Sequence, residues 1–165
     1  MEVGRELGIE TGGTTTPGFY TENGRDESLK DFGVEEISSE LQAGRKGKEF
    51  YLPRTEQNVL NSDGTVYFAT KDDSAGKIAT KRFADKHNKP FLLNPTAMQL
   101  NRWLIDNNIQ VLNVAGNRGS RLTDSQKTNI SNIIKNAFNY GVDIEGQRLV
   151  SKIDKLGEQR KKECE

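Results

Sequence analysis

Apolar runs of strand length alternate along this chain with segments whose apolar residues recur at helical spacing. Residues 65–70 form the first clear run, and residues 75–86 follow with Ala75, Ala79 and Phe83 four positions apart. Such alternation is typical of parallel strands crossed by helices, because each helix returns the chain to the same edge of a sheet. The pattern therefore predicts an α/β fold.

Three further segments continue the pattern. Residues 90–94 and 110–115 are predicted strands, and a helix whose inner face carries Ala97, Leu100, Trp103 and Leu104 lies between them. Thr123 and Gln126 then have the spacing of a capping box, which predicts the start of a helix. The apolar stripe of that helix contains Ile130, Ile133, Ile134, Ala137 and Phe138. It is expected to pack on the sheet.

Two segments lack this regularity. Residues 22–50 are polar and rich in glycine and charge, which predicts a long loop with at most one short strand or helix, and such loops often border a site. Residues 145–165 are predicted to form a charged helix. Its apolar stripe packs on its own domain or on a second subunit, and the sequence favours neither. We therefore expect a ligand-binding domain over residues 1–140 and a helical extension over residues 141–165.

Composition limits the partners. Lys plus Arg and Asp plus Glu both number 24, and the first forty residues contain ten acidic and three basic residues. The chain therefore lacks the broad positive field that nucleic-acid binding requires. Residues that could form a transmembrane segment or a secretory signal are absent from the sequence, so no membrane partner and a cytoplasmic location are expected.

Three glycine-containing loops could bind an anion, since ligands of parallel sheets bind beyond the carboxyl ends of the strands. In the first, Gly12, Gly13, Thr14 and Pro17 could bring backbone N–H groups and hydroxyls to anionic oxygens, although a plain turn explains the same residues. This loop alone does not indicate a ligand.

The second loop precedes the helix predicted at residue 75. Ser74, Gly76 and Lys77 could contact a phosphate there, but the pattern is not a Walker A motif. Asp72 and Asp73 would oppose an anion, and their alternative role is to stabilise the helix N-terminus.

The third loop follows the strand at residues 110–115. Gly116, Asn117, Arg118 and Ser120 combine glycine, amide, hydroxyl and cation, which suits a phosphate or another oxyanion. The alternative is a structural turn.

A fourth group precedes the strand at residue 65. If residues 54–58 are helical, Arg54 and Asn58 share a face that could bind a phosphate or a base edge, and Glu56 points elsewhere. A surface helix is the alternative. His87 is the only histidine, and its place at a charged helix end predicts a solvated side chain or a partner of the helix dipole. No metal site and no nucleophile–histidine pair are visible.

Several ordered motifs carry a resemblance to a known family. They are LGIETGG at residues 7–13, PGF at 17–19, RTEQNV at 54–59, SDGT at 62–65 and LNVAG at 112–116. Together they resemble the circularly permuted YpsA-type SLOG proteins, which are also called putative molybdenum carrier proteins. The resemblance implies a Rossmann-like three-layer domain with a parallel sheet. The matching positions are Gly12, Gly13, Pro17, Arg54, Glu56, Asn58, Asp63, Asn113, Gly116 and Arg118.

Two departures from the family pattern are visible. Ala75-Gly-Lys77 replaces the usual Gly-Gly-Thr, and the strand and Gly-Gly-Gln-Thr-Gly loop that usually precede the first helix are missing. A shortened form, another segment or a partner subunit would explain the second departure, because an empty slot in a sheet leaves backbone groups unpaired. A homo-oligomer is therefore one expectation.

The sequence leaves three functions open. The first is a non-enzymatic sensor or sponge for a nucleotide-derived, phosphate-bearing small molecule. The resemblance implies this ligand class; a cyclic signal in antiviral defence is one example of it, and that setting does not follow from the resemblance. The second is carriage of molybdenum cofactor through its phosphate and pterin, since no cysteine lies near the loops. The third is hydrolysis of a nucleotide N-glycosidic bond with Glu56 or Asp63 as general acid/base, which ranks lowest because the required Pro-Gly-Gly-x-Gly-Thr loop is absent.

Overall fold

The central sheet of the protein has three parallel strands, in the spatial order Phe91–Leu93, Gly64–Phe68 and Leu112–Gly116. The computed structural model describes residues 1–70 and 74–139. The strands are β1 Gly13–Thr15, β2 Tyr20–Thr21, β3 Gly24–Arg25, β4 Val34–Glu36, β5 Gly64–Phe68, β6 Phe91–Leu93 and β7 Leu112–Gly116. The α-helices are α1 Glu2–Glu6, α2 Ser39–Gln42, α3 Leu52–Leu60, α4 Ala75–Lys86, α5 Ala97–Asp106 and α6, described over residues 124–139. The α/β class and the parallel sheet are thus confirmed.

The middle strand β5 is buried at every residue. Val66 pairs with Leu92 on one side and with Val114 on the other, so three branched apolar side chains are neighbours across the sheet. A parallel strand that is covered on both faces is expected to be a continuous apolar run, which is what the sequence of this segment shows. The predicted strand at residues 65–70 was too long at its end, since β5 stops at Phe68.

Helices cover both faces of this sheet. On one face, Val66 and Phe68 pack with Leu100 of α5 and Ala137 of α6. On the other, Val59 of α3 packs with Phe83 and Ala84 of α4. Tyr67 of β5 stacks on Phe91, which packs against this second cluster, so alternating side chains of β5 face two separate apolar layers. The predicted three-layer arrangement is confirmed.

A smaller unit precedes the central sheet. Strand β1 pairs in parallel with β4, and β2 and β3 form an antiparallel hairpin. Asn58 of α3 connects this unit to the rest of the fold: Thr14 N–H donates to its Oδ1 (2.7 Å), and its Nδ2 donates to Thr14 O (3.0 Å). One side-chain amide thus pairs with β1 as a neighbouring strand would.

Two capping boxes begin the helices on the α5–α6 face. Gln126 N–H donates to Thr123 Oγ1 (3.2 Å) and Thr123 N–H to Gln126 Oε1 (2.9 Å), which confirms the predicted box. Thr96 and Gln99 form the same arrangement at α5, with distances of 3.2 and 2.9 Å. The capping box at Thr96 was not predicted, although its Thr-x-x-Gln spacing is the same as that of Thr123 and Gln126.

The prediction for residues 22–50 was wrong. This segment contains β3, β4, α2 and two 3-10 helices, Glu27–Phe32 and Gly47–Tyr51. Its elements have two to six residues each, too short for a repeating apolar pattern to emerge, and tertiary packing decides them. The inner face of α4 also differs from the prediction, because Thr80, Phe83 and Ala84 are buried whereas Ala75 is exposed.

Some expectations concern residues outside the described part of the chain. They are the helical extension over residues 141–165 and the roles of Asp72 and Asp73. Within the described residues, no helix has the length and apolarity needed to span a bilayer.

Glu56 joins α3 to the end of α4. Its Oε1 accepts from Lys86 Nζ at 2.7 Å and lies 2.8 Å from His87 Nε2. The hydrogen bond from Lys86 is the main cause that lowers the pKa of Glu56 below its ordinary 4.5, and His87 adds to the effect. A carboxylate of this kind stabilises the fold above its unfolded-state pKa, and the contribution is lost as the pH falls through the lower, folded-state pKa.

The substitution Glu56→Gln should therefore lower the free energy of unfolding at neutral pH by about 1 kcal/mol, a value reduced by the exposure of Lys86. The difference from the parent protein should shrink as the pH falls below 4.5. Urea denaturation across this range measures it. Asp85→Asn is the control, since it breaks a pair with Lys81 whose side chains are 62% and 50% exposed. An equal loss in both variants at all pH values would contradict the prediction.

Candidate functional site

The topology of the central sheet creates a crevice between β5 and β7. The chain passes from β5 through α4 to β6 on one side, and then through α5 to β7 on the other side of β5. Loops that leave β5 and β7 at their carboxyl ends therefore diverge, which is the place where open parallel sheets bind ligands. The hydrogen bond from Asn117 Nδ2 to Thr70 Oγ1 crosses this point.

Two arginines converge on one aromatic ring beside this crevice. The guanidinium carbon of Arg54 lies 5.2 Å from the ring centroid of Tyr51, and that of Arg118 lies 5.6 Å from the same centroid. Both distances are within the range of cation–π contacts. Arg54 comes from the first turn of α3 and Arg118 from the loop after β7. The structure thus brings together two residues that the sequence analysis had placed in separate groups.

The positive charges of Arg54 and Arg118 repel each other, so their arrangement is electrostatically unfavourable unless an anion binds between them. Burial is the main cause that lowers the pKa of Arg54, Tyr51 opposes the shift, and the positive charge of Arg118 adds to it. Among the described residues, no carboxylate forms an ion pair with either guanidinium. Arg54 is partly buried and Arg118 is exposed beside it. A charge that has lost part of its hydration is ordinarily paired, so the two guanidiniums are suited to an external anion.

An open pocket lies at the pair. It has a volume of about 490 Å³ and is lined by Gly47, Phe50, Tyr51 and Arg118. Phe50 and Tyr51 pack edge to face, with ring centroids 5.5 Å apart. Two aromatic rings and a guanidinium form a surface on which a planar group can stack.

A second cavity, of about 260 Å³, lies beyond β5 and β6 and against α6. Its apolar walls include Phe68, Ile130 and Ile133, and its polar walls include Thr70 and Asn129. The lining contains no charged side chain. The hydrogen bond from Asn117 to Thr70 connects the lining of this neutral cavity to the loop that carries Arg118.

The loop after β7 already binds an anionic group, which belongs to the protein itself. Ser120 N–H donates to Glu22 Oε1 (2.9 Å) and Ser120 Oγ to Glu22 Oε2 (2.7 Å). Gly116 ends β7 so close to β5 that a Cβ would lie 2.9 Å from Phe68 O, and hence only glycine fits there. The predicted chemistry of the loop, donors suited to an oxyanion, is present.

The first glycine loop shows the same behaviour. Gly13 and Thr14 belong to β1, Gly12 precedes it, and Pro17 begins a short 3-10 helix. Gly18 N–H donates to the carboxylate of Glu36. Here too a backbone donor, directly after the predicted ligand residue Pro17, contacts a carboxylate of the chain.

Four predicted ligand residues have structural partners instead. Asn58 pairs with β1, and Glu56 pairs with the end of α4. Asn113 Nδ2 donates to Thr65 Oγ1 within the sheet at 3.2 Å. Asp63 accepts from Gln110 N–H (3.0 Å) and Val111 N–H (2.8 Å), which lowers its pKa and places it at the amino end of the sheet. The structure does not bring these side chains to the arginine pair.

The second glycine loop holds the start of α4. Ser74 is the N-cap of α4, and its Oγ accepts from Lys77 N–H at 3.2 Å. A Cβ on Gly76 would lie 3.0 Å from the Tyr67 hydroxyl, so the packing on β5 favours glycine. These contacts account for Ser74 and Gly76 without a ligand.

Of the two alternatives predicted for His87, the solvated side chain is wrong. It is the C-cap of α4, but its side chain is only 19% exposed and contacts Glu56. Sequence spacing could not show this partner, which lies 31 residues away. No group of three or more metal-ligating side chains exists among the described residues.

Three residues at the site were missed by sequence reasoning: Tyr51, Phe50 and Glu22. Phe50 is the last residue of the segment predicted to be a loop, and Tyr51 follows it directly. This adjacent aromatic pair, which ends three residues before Arg54, was the available signal. No signal in the sequence pointed to Glu22, because its partner Ser120 is 98 residues away.

The fold defines a Rossmann-like α/β protein in which two arginines lie beside an open pocket. Residues 1–138 match the circularly permutated YpsA SLOG family, and the chain belongs to that family. A similar solved structure is the crystal structure of the "Putative molybdenum carrier protein" from Syntrophus aciditrophicus SB. It is 26% identical, the match covers 84% of this chain and 82% of that one, and the TM-score is 0.62. No curated protein matches the chain.

Arg54 should destabilise the fold. Arg54→Met keeps an unbranched side chain but removes a desolvated charge beside Arg118, so the free energy of unfolding should rise by about 1 kcal/mol. Urea denaturation at neutral pH measures the change. Arg121→Met removes an exposed arginine near Arg118 and should alter stability by about 0.5 kcal/mol or less. A clear loss of stability in Arg54→Met alone would show that the charge is already compensated.

Proposed function

We propose that this protein binds a nucleotide-derived, phosphate-bearing small molecule at the pocket lined by Tyr51 and Arg118, next to Arg54, and that it acts as a sensor or a sequestering protein. One observation carries the proposal: two arginines converge on the same ring, and no carboxylate of the described residues pairs with them. Family membership is consistent with this ligand class. A cyclic signal of antiviral defence belongs to the class, but nothing in the site selects it.

The arginines would bind the phosphate. A guanidinium donates several N–H groups in a fixed plane, so two of them can bind different oxygens of one phosphate or of two linked phosphates. Arg54 is held by α3 and by its contact with Tyr51, so little freedom is lost when a ligand binds. The ligand anion would also relieve the repulsion between the two cations.

The aromatic residues and the neutral cavity would bind the remainder of the ligand. A base can stack on Tyr51 or Phe50, because a flat aromatic face accepts any heterocycle. The cavity of about 260 Å³ lies below the usual 300–1,000 Å³ of ligand pockets, so it suits one ring system and not a whole nucleotide. Its uncharged lining fits an uncharged ring.

Carriage of molybdenum cofactor is a second candidate, and the name of the similar Syntrophus protein favours it. The cofactor's phosphate fits the arginine pair, and its pterin fits the same aromatic surface. Its metal would have to be held through the cofactor's own ligands, since the described residues supply no group of three metal-ligating side chains. Bound cofactor would supply molybdenum redox chemistry to an acceptor protein, while this chain would bind and orient it.

Hydrolysis of an N-glycosidic bond finds less support. Glu56 and Asp63, the two candidate acids, point away from the arginine pair and have hydrogen-bond partners of their own. The pKa of each is lowered, whereas a general acid at neutral pH needs a raised one.

Loss of either arginine should release the ligand. Arg54→Ala and Arg118→Ala should each weaken binding about ten- to hundredfold, the loss expected for a charge-assisted hydrogen bond. Native mass spectrometry of protein purified from cells, before and after denaturing extraction, detects the ligand, and the released molecule identifies it as a nucleotide or a pterin.

Arg121→Ala is the matched control, because it removes a neighbouring exposed arginine that does not contact Tyr51. Tyr51→Leu should weaken binding of a ring-bearing ligand more than binding of inorganic phosphate, because phosphate loses only the positioning of the two arginines and not a stacking surface. A ligand retained by both arginine variants would place binding elsewhere. An empty protein that also ignores nucleotides and pterins would refute both candidate functions.

A further inference from the structure

Glu22 connects two distant parts of the chain next to the arginine pair. It lies in the turn between β2 and β3, and its carboxylate accepts from the backbone and the hydroxyl of Ser120 at 2.9 and 2.7 Å. Ser120 stands two residues after Arg118. The turn of a small hairpin is therefore held to the loop that presents one of the two arginines.

These contacts favour an ionised carboxylate. The hydroxyl of Ser120 is the largest cause that lowers the pKa of Glu22, its backbone N–H is the next, and Arg118 contributes through its charge. Glu22 and Arg118 nevertheless form no ion pair within the described residues. Glu22 thus uses the neutral donors of the loop and leaves the guanidinium of Arg118 over Tyr51.

The donors that bind Glu22 are of the kind that a phosphate requires. A phosphate on Arg118 has further oxygens that need N–H or O–H donors, and Ser120 supplies two such donors in the same loop. Both cannot be used at once, because the oxygens of Glu22 already accept these hydrogens.

We propose that Glu22 is an internal competitor for the ligand's anionic group, and that ligand binding displaces its carboxylate from Ser120. This inference rests on the proposed function. Because Glu22 is tethered, its effective concentration at Ser120 is at least about millimolar. A ligand carboxylate would replace the carboxylate of Glu22 with a group of the same charge and the same number of oxygens, whereas a phosphate offers more oxygens and more charge. Glu22 therefore selects phosphate-bearing ligands over carboxylates and lowers the affinity for both.

The test uses the full chain and inorganic pyrophosphate as the probe, with malonate as the dicarboxylate comparison, in isothermal titration calorimetry. Glu22→Gln keeps an acceptor for Ser120 N–H but loses the charge, and should bind pyrophosphate about tenfold more tightly, the equivalent of one charge-assisted hydrogen bond. It should also bind malonate measurably, so that the discrimination between the two anions falls.

Two further variants separate competition from general repulsion. Glu22→Asp keeps the charge but is one methylene shorter, so it should reach Ser120 poorly and also tighten pyrophosphate binding. Glu27→Gln removes the same charge nearby, where Glu27 pairs with Arg25 and Lys30, and should leave affinity unchanged.

Amide NMR spectra of each variant check that the loop stays folded. In the parent protein, pyrophosphate should shift the Ser120 and Glu22 amide signals together.

The outcomes are distinct. Tighter binding in Glu22→Gln and Glu22→Asp, with Glu27→Gln unchanged, supports the inference. If pyrophosphate binds in an Arg54- and Arg118-dependent way but the Glu22 variants bind no more tightly, the competition is refuted and the proposed function stands. Equal tightening in Glu22→Gln and Glu27→Gln, with Glu22→Asp unchanged, would reduce the effect to net charge and refute the competition. Absence of pyrophosphate binding in every protein would refute the competition, together with an independent phosphate site at Arg54 and Arg118.

Discussion

The position of β5 between β6 and β7 is the constraint on which the rest of the structure depends. Because β5 is buried along its whole length and paired on both sides, the chain must cross the sheet first in one direction and then in the other. The carboxyl ends of β5 and β7 then meet while the loops that follow them diverge. This geometry brings Arg118 next to the first turn of α3 and so to Arg54. The hydrogen bonds of Asn58 to β1 hold the N-terminal unit against the same helix.

The glycine loops show how one kind of backbone chemistry can serve two purposes. Exposed N–H groups next to glycine bind oxyanions, whether the oxyanion is a ligand or a side chain. At Gly18 the partner is Glu36, and at Ser120 it is Glu22. The donors in a loop therefore indicate the chemistry of the partner and leave its source open. Competition between an internal and an external anion is a natural consequence at Ser120, because Arg118 stands in the same loop.

The arginine pair explains why stability and binding would oppose each other here. Burial and a neighbouring cation both lower the pKa of Arg54, which means that the fold holds this charge at a disadvantage. Sites that bind charged ligands commonly carry such unfavourable interactions, since the ligand supplies the missing opposite charge. Glu56 illustrates the contrary case: it stands two residues from Arg54, but Lys86 and His87 pair with it, and it stabilises the contact between α3 and α4.

The sequence by itself determined the elements whose information is local: α4, α5 and α6 through apolar spacing, the cap at Thr123 through its Gln126 partner, and the β5 and β7 strands through their apolar runs. It also gave Arg54 and Arg118 as candidate ligand-binding residues, in two separate groups. Tertiary structure decided the short elements between residues 22 and 50, the structural roles of Asn58 and Asp63, and the meeting of Arg54, Tyr51 and Arg118. Glu22 and Ser120 are 98 residues apart, and Asn58 and Thr14 are 44 apart. Such contacts form only when the packed helices and sheet bring distant segments within hydrogen-bond distance, and no spacing along the chain records them.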